Sequence, residues 1–146
     1  RTVLWVAGCS HHCPQCHNPV TWDINGGLVF DEQAKEELFE ELKKDYVSGV
    51  TFSGGDPFHL ENREEIGALA KEIREKFPDK TIWLYTGYEW EEICHLSFLS
   101  NIDVIVDGKF KIEEKDNNLH WKGSANQRVI DVKASLCAGE VRLYQE

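Results

Sequence analysis

The chain has 146 residues, of which 41% are hydrophobic and 11% aromatic, enough apolar side chain for one globular domain with one core. Its 16 Lys and Arg against 26 Asp and Glu give a net charge of −10, which argues against the basic footprint of a nucleic-acid binder. No apolar run approaches the roughly 20 residues of a membrane span, and no secretory signal is visible. The chain opens at Arg1-Thr2-Val3-Leu4 without a methionine, so the start of the natural protein is expected to be missing and residues 1–146 are read as a single domain.

In chain order, Thr2 to Ala7 is β-branched and aromatic and predicts a buried strand that runs into Gly8-Cys9. Asp31 is a candidate N-cap, and Ala34, Leu38, Phe39, Leu42 and Tyr46 recur behind it at helical spacing. Gly49 to Ser53 predicts a strand ending in Gly54-Gly55. Asn62 with Glu65 resembles a capping box, followed by Ile66, Leu69, Ala70, Ile73 and Phe77 on one helical face. Thr81 to Tyr85 predicts a strand, the region of Trp90, Ile93 and Cys94 a helix with Cys94 in the core, and Val104 to Val106 a fourth strand ending at Asp107. Arg128 to Val132 and Val141 to Tyr144 are two further candidate strands. Strands alternating with helices imply βαβ units and a mainly parallel sheet. Gly8-Cys9, Gly54-Gly55-Asp56, Thr86-Gly87 and Asp107 each follow a strand, and parallel α/β folds bind ligands at the carboxyl ends of their strands. Gly108 to Asn126 shows little periodicity and reads equally as a functional loop or an irregular connection.

Three of the five cysteines fall within eight residues, in Gly8-Cys9-Ser10-His11-His12-Cys13-Pro14-Gln15-Cys16-His17-Asn18. Such clustering points to metal or redox chemistry in a reducing compartment, here taken as the cytoplasm, rather than to a disulfide framework. The spacing is C-x3-C-x2-C. Thiolates suit an iron–sulfur cluster or zinc, and three thiolates on a four-iron cluster leave one iron open. Cys9, Cys13, Cys16 and His17 also make a Cys3His zinc set. Cys13 to His17 fits the C-x-x-C-H haem attachment pattern and contains a C-x-x-C redox pair. The haem and dithiol readings leave Cys9 without a role, and zinc leaves none for Ser53-Gly54-Gly55-Asp56-Pro57. Paired glycines after a strand let a ligand approach the backbone closely, although such a turn alone is a weak signal.

Taken together, these segments resemble the radical S-adenosylmethionine superfamily, whose hallmark is C-x3-C-x2-C after the first strand. Within it, the chain is similar to the activating proteins of anaerobic ribonucleoside-triphosphate reductases. The matching segments are Gly8 to Asn18, Thr21-Trp22, Ser53 to Pro57, Trp83 to Tyr88, Val106 to Phe110 and Trp121 to Gln127. The resemblance spans roughly Val3 to Val132.

The resemblance implies an α/β fold, a compact, incomplete (β/α) barrel with a mainly parallel sheet. It implies that Cys9, Cys13 and Cys16 bind a [4Fe–4S] cluster whose open iron takes S-adenosylmethionine. Ser53, Gly54, Gly55 and Asp56 would contact the methionine part, Gln15 and His17 would lie near the adenosine, and Thr86 and Asp107 near the carboxylate or ribose. Reductive cleavage would yield a 5′-deoxyadenosyl radical that takes hydrogen from a glycine of the large reductase subunit, with the electron supplied by a flavodoxin-type donor. An activator of another glycyl-radical enzyme, a small-molecule radical enzyme, and a zinc-stabilised interaction module are the competing functions. Two features depart from the family pattern: Gln15 stands where many members have an aromatic residue, and the chain lacks the Gly-Pro-Gly segment that usually precedes the first strand.

Overall fold

The computed structural model describes residues 2–6, 32–54, 56–59, 62–109, 111–115, 122 and 124–144. Five strands form one sheet in the order β1-β2-β3-β4-β5: β1 Thr2–Val6, β2 Gly49–Gly54, β3 Thr81–Tyr85, β4 Val104–Asp107 and β5 Arg128–Asp131. The first three pairings are parallel and the last, β4 with β5, is antiparallel. The protein is therefore an α/β fold with a mostly parallel sheet, and its described strands form an open sheet. Between them lie α1 Glu32–Leu42, α2 Arg63–Lys76 and α3 Trp90–Ile93, with α4 Val132–Ala138 after β5. No helix among the described residues is long and apolar enough to cross a membrane.

Register decides which residues enter the core. The level Leu4, Phe52, Leu84, Ile105, Ile130 runs across all five strands, and Val50 with Ile82 lies on the same face. These side chains form one cluster with Leu38 and Leu42 of α1, Ile66, Leu69, Ala70 and Ile73 of α2, and Trp90 and Ile93 of α3. Successive strand residues point to opposite faces, so the other face carries Val3, Thr51, Trp83 and Val104. There the Trp83 ring meets Tyr144 edge-on, with centroids 5.3 Å apart.

The described strands and helices follow the sequence pattern at most positions, and the differences have local causes. Helix α1 stops at Leu42, and a turn closed by Val47 N–H donating to Lys44 O (3.1 Å) lets Val47 enter the core. Tyr46, expected on the buried stripe, is thereby 80% exposed. Asn62 adopts the αR conformation and makes no side-chain cap, so the expected capping box is absent. It is Glu92 that reaches back, its carboxylate accepting from Glu89 N–H at 3.0 Å at the start of α3. Helix α3 has a single turn, so Cys94 follows it as an exposed residue instead of a core one. Strand β5 ends at Asp131, which caps α4 by accepting from Ala134 N–H (3.0 Å), and Val132 begins that helix. Of the candidate strand Val141 to Tyr144, Leu143 alone forms a bridge, to Ile130.

The entry to β2 is tight. A Cβ built on Gly49 would lie 2.0 Å from Thr81 O and 2.7 Å from Thr81 N, both backbone atoms of the neighbouring strand. Backbone cannot yield as a side-chain tip can, so Gly49→Ala is expected to destabilise the fold by about 3 kcal/mol. Urea denaturation of the variant measures this, and an unchanged midpoint would contradict the packing at the β2–β3 entry.

Candidate functional site

The carboxyl ends of β1 to β4 lie along one edge of the sheet. Val6 is level with Gly54, Phe52 with Leu84, and Tyr85 with Val106. The residues that leave this edge are therefore the segment after Val6, the turn through Asp56, Thr86-Gly87, and Asp107-Gly108. Of the candidate site residues, Ser53, Gly54, Asp56, Thr86 and Asp107 are described, and all five sit at this edge. Cys9, Cys13, Gln15, Cys16, His17 and Gly55 lie outside the described residues.

Asp56 is 1% exposed and Thr86 5%. The Thr86 hydroxyl donates to Asp56 Oδ1 at 2.7 Å and accepts from Tyr88 N–H at 3.2 Å. Asp56 Oδ1 also accepts from Phe58 N–H (2.9 Å), and Oδ2 accepts from Gly87 N–H (2.9 Å). The buried charge is thus met by backbone and hydroxyl donors, an arrangement that stabilises a carboxylate away from water. Beside it, Arg63 donates to Phe58 O at 3.1 Å and lies 5.4 Å from the Tyr88 ring centre.

Asp107, also 1% exposed, is held differently. Its Oδ2 accepts from Trp90 N–H (2.8 Å) and from Arg128 Nη2, and its Oδ1 accepts from Arg128 N–H (3.2 Å) and Nε (3.1 Å). A carboxylate offers about four lone-pair sites, so these four donors fill it. Arg128 reaches on to Glu91, with Nη2 to Oε1 at 2.9 Å. The Asp107 hydrogen bond foremost, with Glu91 in support, holds the Arg128 guanidinium pKa well above its ordinary value, and the Arg128 hydrogen bond holds the Glu91 carboxyl below its own. A cleft of about 240 Å³ opens here, lined by Glu89, Glu91, Asp107, Lys111, Asn126 and Arg128. Arg128 and Glu91 were not singled out from the sequence. An arginine opening the strand that follows the Ser124–Gln127 motif was the available signal.

The base of the long connection after β4 is also tied. Gly108, at φ 93°, donates its N–H to Tyr88 O (3.0 Å) and accepts from Gln127 Nε2 (2.9 Å). Asn126 Nδ2 donates to Lys109 O (2.8 Å), and Ser124 Oγ donates to Asn126 Oδ1 (2.6 Å). Lys109 itself is exposed.

The family described as a 4Fe-4S single cluster domain matches residues 1–130. An anaerobic ribonucleoside-triphosphate reductase-activating protein of Enterobacteria phage T4 is 44% identical over 129 residues, covering 88% of this chain and 82% of that protein. Proteins of the same name from Haemophilus influenzae and Escherichia coli K12 are each 39% identical, over 131 and 133 residues, covering 87% and 88% of this chain and 84% and 86% of theirs. The chain belongs to the family of anaerobic ribonucleoside-triphosphate reductase-activating proteins. No solved structure matches it.

The donor set suits the cluster of this family. Among the described residues no group of three His, Cys, Asp or Glu side chains is placed to hold a metal ion, and Cys94 and Cys137 are exposed free thiols on separate elements. The clustered thiols of Cys9, Cys13 and Cys16 are soft ligands of the kind that hold iron–sulfur clusters. They begin three residues after Val6, the β1 residue level with Gly54.

Two expectations follow for the charged pair. Arg128→Gln leaves Asp107 buried without its cation, and should cost about 3 kcal/mol, the low end for breaking a buried pair because Arg128 is partly exposed. Adding Asp107→Asn should recover part of that loss, and additive losses in urea denaturation would mean the two side chains act independently. For Glu91, a lowered folded-state pKa adds stability above the ordinary value of 4.5 that is lost as pH falls through the folded value. Wild type should therefore exceed Glu91→Gln by up to about 1 kcal/mol near neutrality and lose that margin in acid. Unfolding curves of both proteins across that range give the comparison.

Proposed function

We propose that this protein activates an anaerobic ribonucleotide reductase, by reductive cleavage of S-adenosylmethionine at a [4Fe–4S] cluster held by Cys9, Cys13 and Cys16. The observation that carries the reading is the meeting of two segments: the cysteine motif follows β1, and the end of β1 pairs with the end of β2, from which the Gly54-Gly55-Asp56 turn departs. Cys9, Cys13 and Cys16 would hold the cluster, which would supply one electron for cleavage of the S–C5′ bond into methionine and a 5′-deoxyadenosyl radical, the radical then taking a hydrogen atom from a glycine of the reductase large subunit.

The chain's own residues bind, orient and shield. The turn of Ser53, Gly54, Gly55 and Asp56 receives the methionine portion, with the glycines allowing close approach to backbone. Gln15 and His17 border the adenosine, and Thr86 and Asp107 close the pocket from the ends of β3 and β4. The described sheet is read as part of an incomplete (β/α) barrel. In support, the helices α1, α2 and α3 share one core with one face of the sheet, and the face bearing Thr51 and Trp83 is left for the interior. The electron donor is a flavodoxin-type protein, and the setting is cytoplasmic, where thiols stay reduced.

The test begins with anaerobic reconstitution. Wild type should hold about four irons with matching sulfide per chain, and its reduced EPR spectrum should change on adding S-adenosylmethionine. Cys13→Ala should lose the cluster and reduce cleavage to background, and the reductase large subunit should gain a glycyl radical only with wild type. Zinc without sulfide, or full activity in Cys13→Ala, would overturn the assignment.

A further inference from the structure

We infer that Asp56 and Thr86 are positioning residues: they clamp the carboxyl ends of β2 and β3 together, and S-adenosylmethionine meets the backbone they hold. The inference rests on the function proposed above and refines the role of two residues in its site.

The geometry is specific. A threonine hydroxyl carries one proton, and Thr86 gives it to Asp56 Oδ1 at 2.7 Å, so it has none to offer a ligand while the clamp stands. That same hydroxyl accepts from Tyr88 N–H, fixing the turn after β3. On the other side, Asp56 orders its own turn through Phe58 N–H and the bond from His59 N–H to Asp56 O (3.0 Å). Asp56 Oδ2 then takes Gly87 N–H from the neighbouring turn. Thirty residues of chain separate Asp56 from Thr86, so this contact is tertiary and joins two loops that otherwise have separate freedom. Asp56 follows the Gly54-Gly55 pair directly. Backbone that is ordered before a ligand arrives loses less entropy on binding, and the clamp fixes Asp56 and Gly87 during folding. Shortly before the clamp, β2 and β3 are still paired, Phe52 with Leu84, so the bond extends the sheet's alignment beyond its last ladder position.

The experiment uses the anaerobically reconstituted full chain with Thr86→Ser, Thr86→Val, Asp56→Asn and the Asp56→Asn/Thr86→Val double variant. Three quantities are measured: equilibrium binding of S-adenosylmethionine, its KM and kcat in cleavage, and hydrogen exchange of the Gly87 amide with and without the ligand. Thr86→Ser keeps the hydroxyl and should bind as wild type does. Thr86→Val and Asp56→Asn should each bind about tenfold more weakly, the loss expected of a hydrogen bond to a charged group, with KM raised and kcat within about twofold of wild type. Thr86→Val removes the bond to Asp56 Oδ1 and Asp56→Asn removes the acceptor of Gly87 N–H at Oδ2, two ties of one clamp, so the loss in the double variant should be well short of the product of the two single losses. Gly87 exchange should quicken in Asp56→Asn even without ligand.

Multiplicative losses in the double variant would mean that each side chain touches the ligand separately and would overturn the inference. Wild-type binding by Thr86→Val would do the same. If Asp56→Asn does not fold, the Thr86→Val and Thr86→Ser pair still decides, because Thr86→Ser keeps the hydroxyl without the methyl and Thr86→Val keeps the methyl without the hydroxyl. A wild-type protein that holds its cluster but binds no S-adenosylmethionine would overturn the proposed function. In that case Gly87 exchange still tests the clamp, with faster exchange in Asp56→Asn supporting it and unchanged exchange removing it.

Discussion

Parallel pairing is the constraint on which the site depends. In a parallel sheet each crossover returns the chain to the same starting edge, so every strand ends at the same side. Register then sets the level of each ending. Because the side-chain period is two, a slip of one residue in β3 would exchange Ile82 and Leu84 for Trp83 and move core residues to the opposite face. A slip of two would keep the pattern but shift Thr86 by about 6.6 Å relative to Asp56, and no hydroxyl could span that gap. The hydrophobic alternation and the Asp56–Thr86 bond therefore specify one alignment together: the first excludes odd slips and the second excludes even ones.

The two buried carboxylates at this edge are stabilised in different ways. Among the described residues Asp56 accepts from two backbone N–H groups and a hydroxyl, whereas Asp107 is met by a guanidinium. The difference follows from topology. Strand β5 runs antiparallel to β4 and starts where β4 ends, so its first residue, Arg128, lies level with Asp107, the last of β4. A parallel fifth strand would begin at the far edge, and an arginine at its start would be a strand's length away. The change of direction at β5 thus delivers a cation to a buried acid. The same acid accepts from Trp90 N–H and so anchors the single turn of α3.

The sequence made the strands β1 to β4 and the helices α1 and α2 legible because each has a hydrophobic period and its own punctuation. Helix α4 has only seven residues, two turns with little period to read, and its cap, Asp131, is also the last residue of β5, so strand and helix share one boundary. Cys94 lies outside the core because the helical spacing of Trp90, Ile93 and Cys94 extends past a helix that ends at Ile93. Strand-end position makes Asp56, Thr86 and Asp107 candidates, and all three lie at the carboxyl edge of the parallel strands. What they bond to was not legible, since the partners lie 30 residues away for Asp56 and 21 for Asp107. Local pattern carries no record of such pairs, and nothing near Arg128 in the sequence marks it as the partner of Asp107.

The hydrogen bonds along the edge form one continuous line. Asp56 accepts from Thr86, Thr86 accepts from Tyr88 N–H, Tyr88 O accepts from Gly108 N–H, and Gly108 O accepts from Gln127. That line crosses from the end of β2 to the residue before β5. It passes through both turns and through the base of the irregular connection, whose Ser124-Ala125-Asn126-Gln127 motif supplies the last tie. Closing a long loop costs little more entropy than closing a short one, and these bonds tie the described ends of the connection, Gly108-Lys109 and Ser124 to Gln127, to each other and to the sheet. A site needs its surrounding groups held to fractions of an ångström by rigid elements. Here the strands provide the rigidity and the side chains of Asp56, Thr86 and Gln127 carry it past the strand ends. On the function proposed above, the polar residues of this edge act chiefly on one another, and the backbone they hold is the surface the ligand meets.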